Sequence, residues 1–374
     1  MNDLHQLMLL RQGRIHELTL DMQGYYEHYD SFEFDQLILY LSRNHTVKKL
    51  TLTGLYDIDY IGYKLPVSVS SLHHLTDLYL CMFDLDHPPT FDGFGSLGSL
   101  YLHEVKISTK HLLHLLSNCP SLKCFSLDIA YIREFDGECT INELLKCLPV
   151  IERLTISIRA FQWLVLDPVP QELPTSLIHL KYLRLEGMCI DEDCRLAFHV
   201  LIKCSPNLER FELLVYGREY ILLLRQGPIY ELTLKLSVDE DECLEFYQIV
   251  SHLSRNYTSV KKLTLRGRYN DPWFEVQVPI SIFSFHHLRD LVISKVIPTK
   301  IVQHLLLNCP SLKNLSLWVV LDSVPQELPT SLIHLRYLCF KDMTLVERCG
   351  LAFLLVERCG LSNVHRTWRK LSSR

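Results

Sequence analysis

The sequence has no C-x-x-C pair, no Pro/Gly/Ser-rich linker, no low-complexity tract and no long apolar run. Each absence closes off a class of protein. The thirteen cysteines are odd in number and lack short-range pairing, so they point to neither a disulfide framework nor a ribbon-type metal site, and most are expected to be buried thiols. Without an apolar stretch of about twenty residues there is no candidate membrane-spanning helix. The opening MNDLHQLMLLRQGRIHEL carries Asp3, Arg11 and Arg14, which leave no uninterrupted apolar core for a secretory leader. The expected compartment is therefore the cytosol or nucleus, and the N-x-S/T matches at Asn44, Asn256 and Asn314 are read as chance. A charge excess of one sign is missing too. The net charge is −5 with acids and bases interspersed, which argues against nucleic-acid or membrane partners through a broad electrostatic footprint. With no linker, residues 1–374 read as one continuous solenoid, ending in an irregular basic tail at 359–374.

What the sequence does have is a repeat. The pattern apolar-x-x-apolar-x-apolar occurs thirteen times: IHELTL at Ile15, VKKLTL at Val47, LTDLYL at Leu75, LGSLYL at Leu97, LKCFSL at Leu122, IERLTI at Ile151, LKYLRL at Leu180, LERFEL at Leu208, IYELTL at Ile229, VKKLTL at Val260, LRDLVI at Leu288, LKNLSL at Leu312 and LRYLCF at Leu335. From Leu18 to Leu338 the central positions advance by a mean of about 27 residues, inside the leucine-rich-repeat range. The last three residues of each hexad alternate apolar, polar, apolar, the period of a strand with one buried face. Between hexads, FDQLILYLSRN, TKHLLHLLSNCPSL, INELLKCLP, RLAFHVLIKCSPNL and CLEFYQIVSHLSRN repeat apolar residues three and four apart and are expected to be helices. LPVSVSSLHHL and LPTSLIHLKYL open with proline and are expected to be irregular or single-turn. The fold class is thus α/β, a horseshoe with a concave parallel sheet of about thirteen strands and convex helices or turns. No repeat can cover its own apolar face, so stability comes from stacking.

A longer duplication lies over the short one. VKKLTL returns after 213 residues and NCPSLK after 190; VLDPVPQELPTSLIHLKYL from Val165 returns from Val320 at 17 of 19 positions after 155. Residues 215–374 are thus a shortened copy of 1–214, each shortening removing one hexad, which only a solenoid tolerates.

Other motifs yield to plain readings. Gly93, Gly95 and Gly98 form G-x-G-x-x-G, but the last falls inside a hexad where no phosphate-binding helix can begin, so a repeat turn is expected. The pairs His73/His74 and His286/His287 lack metal-ligand spacing and fit polar turns, while Cys119, Cys204 and Cys309 fit small buried helix-end residues. The acidic run Asp239 to Glu242 reads as a solvated loop. No cofactor, metal or catalytic constellation is indicated, and the chain is expected not to be an enzyme.

The concave face is where binding is expected. The third and fifth hexad positions point away from the core and hold Lys49, Asp77, Tyr79, Tyr101, Arg153, Tyr182, Arg184, Arg210, Glu212, Lys262, Asp290 and Tyr337. Tyrosine and arginine are enriched where proteins bind proteins, so Tyr79, Tyr101, Arg153, Tyr182, Arg184 and Arg210 form the expected contact patch, against the plainer reading of a solvated sheet face.

RQGRIHELTL, LSRN before VKKLTL, YKLPVSVSSLHHLTDLYL, PPTFDGFGSLGSL and LLSNCPSLK together resemble plant F-box/FBD/leucine-rich-repeat proteins, and SPNLERFEL from Ser205 resembles the core of an FBD segment, at 188–214. The resemblance implies the substrate-binding half of a receptor for an SCF-type cullin ubiquitin ligase, in which an F-box holds the adaptor and the repeats hold a protein target. The LP-rich, Trp-terminated F-box pattern is not found in the chain, so SCF adaptor and cullin are partners implied by the family only. Two further readings stay open: a free-standing scaffold or decoy, and a truncated, degenerate gene product. A secreted receptor-like domain is disfavoured by Val105, Met188, Val296 and Met343 at the positions of an asparagine ladder. At the C-terminus RCGLSNVHRTWRKLSSR replaces the expected return of KCSPNLERFEL, so a frayed end is expected.

Overall fold

A computed structural model describes residues 14–22, 31–44, 46–54, 63–85, 94–129, 141–157, 159–160, 177–186, 201–215, 229–237, 259–268, 286–294, 309–318 and 337–341. The first strands are β1 (Glu17–Asp21), β2 (Lys49–Thr53), β3 (Tyr63–Lys64), β4 (Asp77–Cys81), β5 (Phe83–Asp84), β6 (Ser99–Val105), β7 (Cys124–Ile129) and β8 (Arg153–Ser157). They are followed by β9 (Tyr182–Glu186), β10 (Arg210–Val215), β11 (Glu231–Ser237), β12 (Lys262–Arg268), β13 (Asp290–Ser294), β14 (Asn314–Trp318) and β15 (Tyr337–Lys341). β3 and β5 pair with each other. The other thirteen each begin at the third residue of a hexad and follow one another in chain order. This is a leucine-rich-repeat solenoid.

By its contacts the chain forms two compact units, Met1–Leu183 with Glu192–Ser205 and Arg184–Asp191 with Pro206–Arg374. In the first unit the hexads stack without slip. Leu50 pairs with Leu78, Leu78 with Leu100, Leu100 with Phe125 and Phe125 with Leu154. All five are buried, as are the hexad-opening residues Val47, Leu75, Leu97, Leu122 and Ile151. The second unit repeats the arrangement, with Phe211, Leu232, Leu263 and Leu291 in register and buried. Period-two alternation thus puts one apolar ladder inside and one polar ladder outside.

The described helices belong to the first unit. α1 (Ser31–Asn44) buries Phe34, Leu37, Ile38 and Leu41, the three-and-four spacing of one helix face. Its Asp35 accepts bonds from the Ser68 amide at 3.1 Å and the Ser68 hydroxyl at 2.5 Å, tying it to the 3-10 turn Val67–Ser71. α2 (Thr109–Ser117) starts at Ser108, whose hydroxyl accepts from the His111 amide at 3.4 Å, and buries Leu112, Leu115 and Leu116. α3 (Ile141–Lys146) buries Ile141, Leu144 and Leu145. These match the expected convex segments, and the LPVSVSSLHHL stretch forms the short turn expected of it. CLEFYQIVSHLSRN, the acidic run at 239–242 and the tail at 359–374 lie outside the described residues. No described helix is long and apolar enough to cross a membrane.

One irregularity was not anticipated. Pairing between β6 and β7 shifts register after Leu102, and Glu104 adopts a positive φ of 48°. Met82, which follows β4, has φ 61°. A Cβ on Gly54 would come within 2.5 Å of the Met82 carbonyl oxygen, so the chain after β2 needs glycine there to let the Met82 backbone approach.

Candidate functional site

The polar ladder of the first unit carries four of the six residues expected to make contact. Tyr79 on β4 and Tyr101 on β6 occupy paired register positions, with ring centroids 6.3 Å apart and planes inclined at 37°. Tyr101 keeps 38% of its surface exposed, while Tyr79 is half-buried. On β8, Arg153 is exposed and its guanidinium lies 5.0 Å from the centroid of the Tyr182 ring. Ser126 and Thr155 continue the Tyr101 row across β7 and β8 with small side chains.

Both tyrosine hydroxyls are held neutral. Burial pushes Tyr79 above its ordinary range, and Cys81, Glu104 and Asp128 add to the rise. Burial also raises Tyr101, helped by Cys124, although Ser99 and Arg153 pull the other way. The face therefore offers hydroxyl donors, ring surfaces and a guanidinium. Nearby, His103 Nδ1 lies 2.9 Å from Asp128.

The remaining two expected residues, Arg184 on β9 and Arg210 on β10, belong to the second unit and meet at Glu212. Arg184 reaches Glu212 at 3.4 Å and Glu186 at 2.9 Å; Arg210 reaches Glu212 at 2.5 Å and Glu231 at 3.6 Å. Lys262 closes the row on Glu231 at 3.6 Å. Glu212, read from the sequence as an outward side chain, is 6% exposed because the two arginines lie over it. Alternation alone could not foretell this, since it gives direction but not what neighbouring strands lay across a side chain. The structure thus sorts the six residues into an aromatic group in the first unit and an ion-paired group in the second.

The other sequence candidates fall in plain places. Gly95 and Gly98 lie in the turn leading to β6, and His73, His74, His286 and His287 are exposed at turns. Cys81, Cys119 and Cys309 are buried, Cys124, Cys147 and Cys204 partly so. Among the described residues no group of three His, Cys, Asp or Glu side chains converges to hold a metal. Gly93 lies outside the described residues, as do the side chains of β15, Tyr337 included.

Residues 38–136 match the family described as FBD-associated F-box protein At5g56370, LRR repeats. The F-box/FBD/LRR-repeat protein At1g13570 of Arabidopsis thaliana is 26% identical over 257 residues, covering 55% of this chain and 59% of that protein. In its repeats the chain is similar to the plant F-box/FBD/leucine-rich-repeat proteins. Such repeats form a protein-interaction module, and this F-box/FBD/LRR-like chain spans less than two thirds of its relative's length. Two solved structures are also similar to it. TLR13 in its ssRNA13 complex is 15% identical, covers 91% of this chain and 57% of its own, and has a TM-score of 0.37. The plant peptide hormone receptor RGFR1 with RGF2 is 15% identical, covers 82% and 56%, and has a TM-score of 0.29.

Proposed function

We propose that the chain is a non-catalytic recognition module that holds a protein target on the outward sheet face of its first unit and serves as the substrate-binding half of a ubiquitin-ligase receptor. The observation that carries this reading is the paired, partly exposed Tyr79 and Tyr101 beside the Arg153–Tyr182 stack. Held on adjacent strands, these side chains have little rotamer freedom left to lose on binding, and rigid aromatic and guanidinium surface of this kind dominates protein interfaces. The ligase connection comes from the likeness to F-box/FBD/LRR proteins, and with it the cytosol or nucleus as the place of action.

Affinity purification of the tagged full-length chain from plant cells, scored by mass spectrometry, tests the connection. Recovery of a cullin and its adaptor with the chain is the expected result. Recovery of other partners without either would replace the ligase role with that of a free-standing scaffold.

A further inference from the structure

The second unit carries a charged rim that its sheet face does not use. From Glu209 to Arg289 the carbonyl of the second hexad residue accepts amide bonds from the following hexad, so these residues stack in a column at the start of the strands. The Lys261 amide donates to Tyr230 at 2.9 Å, Arg289 to Lys261 at 2.8 Å and Lys313 to Arg289 at 2.8 Å. Successive members are therefore about 4.8 Å apart. Tyr230, Lys261 and Arg289 are exposed and Lys313 is half-exposed.

Three cations on three neighbouring strands repel one another. Among the described residues no carboxylate forms an ion pair with them; Glu231 is held by Arg210 and Lys262, Asp290 accepts from the Asn314 amide, and Glu209 stands two places down the column, beyond Tyr230. Lys261 instead lies 4.6 Å from the centroid of the Tyr230 ring. The same column in the first unit is different, with uncharged Thr76 and Gly98 and with Lys123 tied to Glu152 at 3.0 Å. Among the described residues the rim is thus a concentration of positive charge without ion-pair partners, on a chain whose net charge is −5, so an anion drawn to it is drawn locally.

We propose that the Lys261–Arg289–Lys313 rim binds a short acidic peptide segment of a protein partner. Three cations span about 10 Å, and an extended peptide puts alternate side chains about 6.8 Å apart, so two or three carboxylates at every second residue meet them. A nucleic acid fits less well. Its phosphates run on well past the about 10 Å that the three cations span.

The test is fluorescence anisotropy of a labelled peptide of four glutamates alternating with serines, titrated with the full-length chain at about 50 mM salt. Saturable binding is expected, weakened about tenfold in the double variant Arg289→Gln/Lys313→Gln and unchanged in Lys123→Gln. Both glutamine changes are at solvent-reaching side chains, and an unaltered melting curve shows that the fold is kept; if the double variant melts early, the two single variants, each expected to carry part of the loss, decide. Absence of saturable binding, equal binding by the variants, or tighter binding of a single-stranded oligonucleotide of the same charge would each overturn the proposal.

Discussion

At the scale of single residues, burial decides chemistry. Cys309 is fully buried, and burial pushes its thiol up to about 12, while burial also raises Cys81 and Cys119. The thiolate is the reactive form, so these three are expected to resist iodoacetamide at about pH 8 and to label together once the chain unfolds, as mass spectrometry of labelled peptides would record. The raised tyrosines have a parallel consequence. A group whose pKa is higher in the folded state contributes full stability below its unfolded pKa and loses it as the pH rises through the folded value. Partner binding through Tyr79 and Tyr101 is therefore expected to be flat from about pH 6 to 9 and to fail only in strong alkali. Glu212 is a nearly buried carboxylate bridged by Arg184 and Arg210. Glu212→Gln should cost about 1–2 kcal/mol in urea unfolding, discounted because Arg184 and Arg210 reach solvent, whereas Glu186→Gln, at an exposed pair, should cost under about 0.5.

At the scale of elements, the hexad is a strand with its buried face already written into it. All thirteen long strands start where the third hexad residue stands, because the first, fourth and sixth residues cannot be buried together in any other register. The cost of breaking that face depends on place. Leu154 on β8 is fully covered, so Leu154→Ala should lose about 2–5 kcal/mol, while Leu18 on β1 is half-exposed and Leu18→Ala should lose clearly less, both read from urea midpoints. The helices α1, α2 and α3 could be read from their three-and-four spacing. The β3–β5 pair, the shift after Leu102 and the positive φ at Met82 and Glu104 could not, since they arise from how one repeat's connection meets the next. The same limit holds at the candidate site. Tyr79, Tyr101 and Arg153 were visible as outward positions of the pattern, but the stacking of Arg153 on Tyr182 and the sinking of Glu212 beneath two arginines depend on contacts between strands that a one-strand pattern leaves open.

At the scale of the whole molecule, regularity has a functional price and a functional use. A repeat that commits its apolar residues to stacking has its polar ladder and the rim beside it left for recognition, so specificity must come from which side chains stand there. In the first unit they are tyrosines and an arginine; in the second they are ion pairs that satisfy one another. The target is accordingly expected at the first unit. The most direct measurement is quantitative affinity purification of the tagged full-length chain beside its Tyr101→Ala/Arg153→Ala variant, with circular dichroism confirming that the variant is folded. Loss of the target by about tenfold or more from the folded variant is the expected result, in line with removal of two central contacts. Recovery of the same partners in the same amounts would mean that the tyrosine face is an ordinary solvated surface and that the chain recognises its target elsewhere.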